Sequence, residues 1–162
     1  MDPKTYVAPN GLLRERNILI TGASDGIGRA LALECARLGA QVIIHGRNKA
    51  KLEKVHDEIT AIEDAARPSI AVMDLLEAQS DAYESLAQGI EEQFGRLDGL
   101  VHNASMLGER YPLQQYDIVS WQKVMHVNLT AAFALTQVCL PPLLQAPDPS
   151  IIFTSSGVGR RG

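Results

Sequence analysis

Three glycines fall within seven residues of the stretch TGASDGIG, at Gly22, Gly26 and Gly28, between the apolar run NILI and the helical pattern RALALECARLGA. Glycine there frees the backbone to turn tightly and lets a ligand approach the main chain. The first turn of a helix also carries N–H groups without intrahelical partners and the positive end of the helix dipole, which together suit a phosphate. Gly22 is read as the tight turn, Gly26 as the point of close approach, and Gly28 as the contact of helix with strand. A glycine-rich turn that binds nothing has the same spacing, so the reading needs support from elsewhere. A second group stands far off in the sequence: Ser155 and Ser156 follow another apolar run in IIFTSSGVG.

The elements around these residues must bring them together. Short apolar runs predict strands at 17–21, 41–45, 69–74, 97–103 and 150–155. Helical patterns lie between them at 29–38, 48–60, 80–95 and 117–144, with Gly39, Gly95 and the Ser80-Asp81 pair as punctuation. Several strands are continuously apolar rather than alternating, as expected when helices cover both faces of a parallel sheet. Strand and helix taking turns at this spacing predicts βαβ units, hence one doubly wound α/β domain over 1–162. In such a sheet the glycines and the two serines share the carboxyl edge, where ligands bind.

Composition narrows the class. The chain has 162 residues, 46% hydrophobic and 21% charged, with a net charge of −4. That is an ordinary soluble domain, with no charge to attract nucleic acid or an anionic membrane. The apolar stretch LTAAFALTQVCLPPLLQ carries Thr130, Thr136, Gln137 and a proline pair, and is not read as a membrane span. The start shows no signal pattern, and Cys35 and Cys139 sit in apolar helical patterns without metal-ligand spacing. Buried free thiols and a cytoplasmic setting are expected.

The motif TGASDGIGRA resembles the cofactor motif of the short-chain dehydrogenase/reductase superfamily in its one-domain form, and the resemblance continues in order through HGRN, MDLL, LDGLVHNAS, MHVNLTAAF and IIFTSSGVG. Several of these phrases are also similar to a bacterial oxidoreductase subgroup of that family. The resemblance implies a Rossmann fold and an NAD(P)-dependent oxidoreductase that moves a hydride between nicotinamide and a carbonyl or secondary alcohol. Thr21 would brace the strand end. The main chain from Gly22 through Ser24, Asp25, Gly26 and Ile27 to Gly28, with the Ser24 hydroxyl, would line the diphosphate and the adenosine ribose. Asp74 would bind the adenine amino group and the Leu75 N–H would contact the ring; capping of the following turn is the other reading of Asp74. Asn103 and Ala104 match the family's Asn-Ala beside the cofactor's sugars, whereas His102 and Ser105 depart from it. Ser105 in place of glycine raises the question of its φ, and His102 is read as sheet-supporting.

Where a carboxylate would grip the ribose 2′-OH of NAD, this chain has Gly46 followed by Arg47, whose planar fork suits a 2′-phosphate. NADP(H) is therefore expected over NAD(H). Asp25 opposes this unless turned away, since relatives that prefer NADP often carry a cation there. Asn128 lies in a long apolar helical run, on a face shared with Trp121, Val124, Met125, Ala131, Ala132 and Leu135; the family uses this Asn to loosen the helix for a proton-relay water. Ser156 fits the family's Ser-x-x-Gly and would polarise the substrate's carbonyl oxygen, while Ser155 is read as a turn serine.

The family's proton donor is a Tyr with a Lys four residues on. Neither Tyr6, Tyr83, Tyr111 nor Tyr116 has one. The expectation is that the carboxy-terminal part of the domain, with the acid, is missing from this chain; a non-catalytic NADP(H)-binding or interaction module is the alternative, and an acid recruited from elsewhere a third. No metal is expected. The surplus apolar surface of the long helix predicts a homodimer or homotetramer for the complete protein.

Overall fold

The computed structural model describes residues 5–157. Five parallel strands form one sheet in the order β3-β2-β1-β4-β5: β1 Asn17–Thr21, β2 Gln41–Gly46, β3 Ser69–Val72, β4 Gly99–His102 and β5 Ser150–Phe153. The order reverses between β1 and β4. A doubly wound sheet opens a crevice at that point, beyond the strands' carboxyl ends.

Alternation along the strands assigns the two faces. Ile18, Ile20, Val42, Ile44 and Val101 pack on α1 (Gly26–Arg37) and α2 (Lys49–Thr60). Leu19, Ile43 and Leu100 face the other way, onto α3 (Ser80–Phe94) and the long helix that follows β4. This is the expected α/β architecture. At the amino edge of the sheet, buried Asp98 accepts from Asn17 N at 2.9 Å and pairs with Arg16 at 3.3 Å and Arg96 at 3.1 Å. That cluster joins β1 to the turn before β4.

Several boundaries differ from expectation. Helix α1 starts at Gly26, not Arg29, because the Asp25 carboxylate accepts from Gly26 N at 2.8 Å and caps it. Helix α3 is capped at Gln79 without a side-chain bond, so Ser80 and Asp81 lie inside it; Gly95 ends it in the left-handed region at φ 73°. Strand β3 stops at Val72, since its only partner, β2, ends at Gly46; the last link is Met73 N to Gly46 O at 3.1 Å. Asp74 therefore lies in the loop beyond the strand. Likewise β5 ends at Phe153.

The long helix is three pieces: α4 (Ile118–Met125), a π turn (His126–Thr130) and α5 (Ala131–Leu144). The π turn adds a residue and shifts the buried stripe to Val127, Ala131, Leu135, Cys139 and Leu143. Trp121, 50% exposed, and Asn128 leave the face they were expected to share with Ala131 and Leu135. By length and a hydropathy of 1.5 the run Ile118–Leu144 meets the measure of a membrane span, yet its stripe stands in the core with α3 and β4 residues. Cys35 and Cys139 are buried free thiols, and burial pushes them up to about 11 and about 12.

Candidate functional site

The carboxyl end of β1 is tied to that of β4. Thr21 Oγ1 accepts from Asn103 N at 2.9 Å and Ala104 N at 3.0 Å, and donates to Val101 O at 3.2 Å. The Asn103 amide donates back to Thr21 O at 3.1 Å and Gly22 O at 3.4 Å. One threonine hydroxyl thus replaces the ladder where β4 runs out. Gly22 has φ 66°, and a β-carbon there would meet Ala104 Cα at 2.9 Å. One at Gly28 would collide with the Gly22 carbonyl. The glycine loop and the end of β4 therefore interlock.

In front of Gly26 the space is open: apart from Asp25, Ile27 and the main chain of its own helix, no described atom lies within 4 Å of a β-carbon built there. Ile27, 69% exposed, flanks this opening on the first turn of α1. The loop so shaped leaves a cradle of the kind a diphosphate needs: main-chain N–H groups at a helix start, of which Gly26 N is taken by the Asp25 cap.

Beside it lies a cleft of about 490 Å³, lined by Gly22 and Ser24 from the first loop, His45, Gly46 and Arg47 from the end of β2, Asp74 and Leu75 from the loop after β3, and Asn103 through Leu107 after β4. Nine of the cofactor residues expected from sequence, Gly22, Ser24, Arg47, Asp74, Leu75, Asn103, Ala104, Gly26 and Gly28, stand on or next to this one edge. Asp74 accepts from Leu76 N at 3.0 Å, so the turn-capping reading is realised; its other oxygen is 3.9 Å from Arg47. Arg47 is otherwise outward, its side chain 69% exposed.

Asp25 is not an unpaired negative charge in the loop. Besides capping Gly26, it accepts from Lys51 Nζ at 2.8 Å, and those two bonds, the lysine's first, hold its carboxyl below the ordinary range. Lys51, in the first turn of α2 after the Asn48 cap, is not among the residues that the sequence motifs single out.

His45 is not among those residues either. It lines the cleft while 1% exposed, and neither ring nitrogen meets hydrogen-bond geometry with a partner among the described residues; burial, opposed by the Asp74 charge and the Met73 main chain, lowers it to about 4. His102 is the last residue of β4, with Nε2 2.8 Å from Thr136 Oγ1 and its ring stacked on Phe153. It is a sheet residue, as expected. Ser105 keeps a negative φ, since among the described residues only Glu15 and Asp64 are non-glycines with positive φ.

Asn128 lies in the π turn, so the helix is loosened where the family resemblance placed the effect. Its side chain clamps the loop after β4, accepting from Met106 N at 2.7 Å and donating to Met106 O at 2.9 Å. Ser155 and Ser156 follow β5 at the same edge, both exposed. Gly159, which completes Ser-x-x-Gly, lies outside the described residues.

The model of the short chain dehydrogenase family matches residues 16–162. The chain belongs to that family. It is 46% identical over 157 residues to YciK of Escherichia coli strain K12, named as an uncharacterized oxidoreductase, covering 97% of this chain and 62% of that protein. The solved structure of YciK from E. coli superposes with a TM-score of 0.92 at 46% identity, covering 98% of this chain and 64% of that one. A protein from E. coli CFT073, proposed to be a short chain dehydrogenase and solved in complex with NADPH, matches with a TM-score of 0.90 at 48% identity, over 95% and 64% of the two chains. Within the family the chain falls with the YciK-like subgroup. It spans less than two thirds of the length of these relatives.

Proposed function

We propose that the protein is an NADP(H)-dependent oxidoreductase acting on a carbonyl or secondary alcohol, and that residues 5–157 contain its cofactor half. The observation that carries this is that the glycine loop, at Gly22 and Ser24, and Arg47 line one cleft. The NADPH complex of a 48% identical relative supports it. Bound there, the nicotinamide cofactor supplies a hydride acceptor or donor.

The chain's own residues then divide the work. The N–H groups at the start of α1 hold the diphosphate, Arg47 pairs with the 2′-phosphate, and Asp74 and Leu75 face the adenine. Ser156 donates to the substrate's carbonyl oxygen and steadies charge there. Asn128 is a positioning residue that fixes the loop at Met106. A Tyr with a Lys at i+4 is absent from the 162 residues, so a chain ending at Gly162 lacks the general acid.

Turnover of NADPH against a panel of ketones and aldehydes tests this reading. The full encoded chain should reduce at least one, and Ser156→Ala should lower kcat by about 100-fold or more, the scale of losing one oxyanion donor. A purified chain ending at Gly162 should show no reduction above background. Robust turnover by that short chain would overturn the assignment of Ser156 and of the missing acid.

The same reading includes a homodimer or homotetramer. Ile118, Trp121, Leu129, Phe133, Leu140 and Leu144 are exposed apolar residues on α4, the π turn and α5. A symmetric contact would cover it; a helix from further along the same chain is the competing cover. Light scattering of the full chain at micromolar concentration decides, a monomeric mass going against the dimer.

A further inference from the structure

We infer that Lys51 is a second cation for the cofactor's 2′-phosphate, held ready by Asp25, an inference that rests on the NADP(H) reading above. Four observations place it. The glycine loop abuts the end of β2: a β-carbon on Gly46 would lie 3.5 Å from both Ser24 Oγ and Leu52 Cδ2. Arg47 follows Gly46 and Asp25 follows Ser24, so the two charged residues leave the same junction. Lys51 precedes Leu52 and reaches Asp25 at 2.8 Å. The first turn of α2 is fixed there, since Lys51 N donates to Asn48 Oδ1 at 3.0 Å.

An ammonium group has three donors. One goes to Asp25, and the side chain is still 52% exposed, which leaves donors for a phosphate oxygen. The guanidinium of Arg47, which lines the cleft, makes a long 3.9 Å contact to Asp74. A dianionic 2′-phosphate at this junction would meet the full charge of Arg47 and a Lys51–Asp25 pair that is neutral overall, with free ammonium donors in place of a bare carboxylate. This resolves the conflict in the sequence, where an acid sits in the phosphate loop of a chain that favours NADP(H). The pair lets the acid cap α1 without repelling the ligand.

Titration of the full encoded chain with NADPH and with NADH tests the inference, using Lys51→Ala, Lys51→Arg and, as the control for the underlying reading, Arg47→Ala. Lys51→Ala should weaken NADPH about tenfold, the scale of one charge-assisted hydrogen bond, and change NADH less than about twofold. Lys51→Arg should restore most of the NADPH affinity. A loss shared equally by both cofactors would mean that Lys51 only supports the fold, and would overturn the inference. So would a Lys51→Ala protein with unchanged NADPH affinity. If Arg47→Ala is selective for NADPH and Lys51→Ala is not, the inference falls and the cofactor reading stands. If neither is selective, the 2′-phosphate reading itself is wrong.

Discussion

The α-carbon of Gly28 stands against the main chain of Gly22, so closely that a β-carbon on it would collide with the Gly22 carbonyl and lie 2.5 Å from Asn103 Nδ2. Helix α1, the loop after β1 and the end of β4 are therefore locked at one point. The obstacle is main chain and a bonded amide, which cannot swing aside as a flexible side chain can.

Gly28→Ala should accordingly disturb the cradle and the fold together. Overpacking of this kind costs about 1–3 kcal/mol. Thermal unfolding and NADPH titration of the full chain should both show the loss. Wild-type affinity in Gly28→Ala would show that the loop can yield.

His45 makes stability depend on pH. Its folded value is depressed to about 4 from 6.5, chiefly by burial, so below pH 6.5 the unfolded chain takes up a proton that the folded chain refuses. Stability is full above about pH 6.5 and falls as pH drops toward 4; between pH 7 and 5 this group alone removes about 2 kcal/mol. His102, also depressed by burial, acts in the same direction. His45→Leu deletes an unpartnered buried polar group, and should add about 1–3 kcal/mol at pH 7 while flattening the pH profile. Urea unfolding at both pH values measures this. A His45→Leu protein that is less stable at pH 7 would show that the ring has a partner.

Asn128 holds Met106 through two hydrogen bonds, and its replacement by Ala should free that loop. Two neutral bonds at about 1 kcal/mol each predict at least a tenfold faster amide exchange at Met106, with little change in global stability because the site is exposed. Unchanged exchange at Met106 would mean the clamp does not hold in solution.

The order of strands and helices was legible because continuous apolar runs separated by helical patterns admit little other than a doubly wound sheet. The shape of the glycine loop was legible for the same kind of reason: Gly22 and Gly28 leave no room for a β-carbon, and Gly26 has φ 54°. What stayed hidden depends on contacts distant in sequence. In the sequence Asp25 stands as a charge opposed to phosphate, since nothing there ties it to Lys51, 26 residues on. The helical pattern begins only at Arg29, and nothing in the sequence shows that Asp25 caps the helix at Gly26. The sequence carries β3 too far because Met73 extends the apolar run up to Asp74, and only the length of β2 stops the ladder. The π turn shifted the face assigned to Trp121 and Asn128, which helical periodicity alone cannot reveal.

The central claim is that this edge of the sheet recognises a 2′-phosphorylated dinucleotide. Its most direct measurement is the affinity of the full encoded chain for NADPH and NADH, before and after Arg47→Ala. NADPH should bind at least about tenfold more tightly than NADH, as one charge-assisted pair predicts, and Arg47→Ala should abolish most of that preference by weakening NADPH alone. Equal affinity for the two cofactors, or an Arg47→Ala protein that loses both alike, would contradict it.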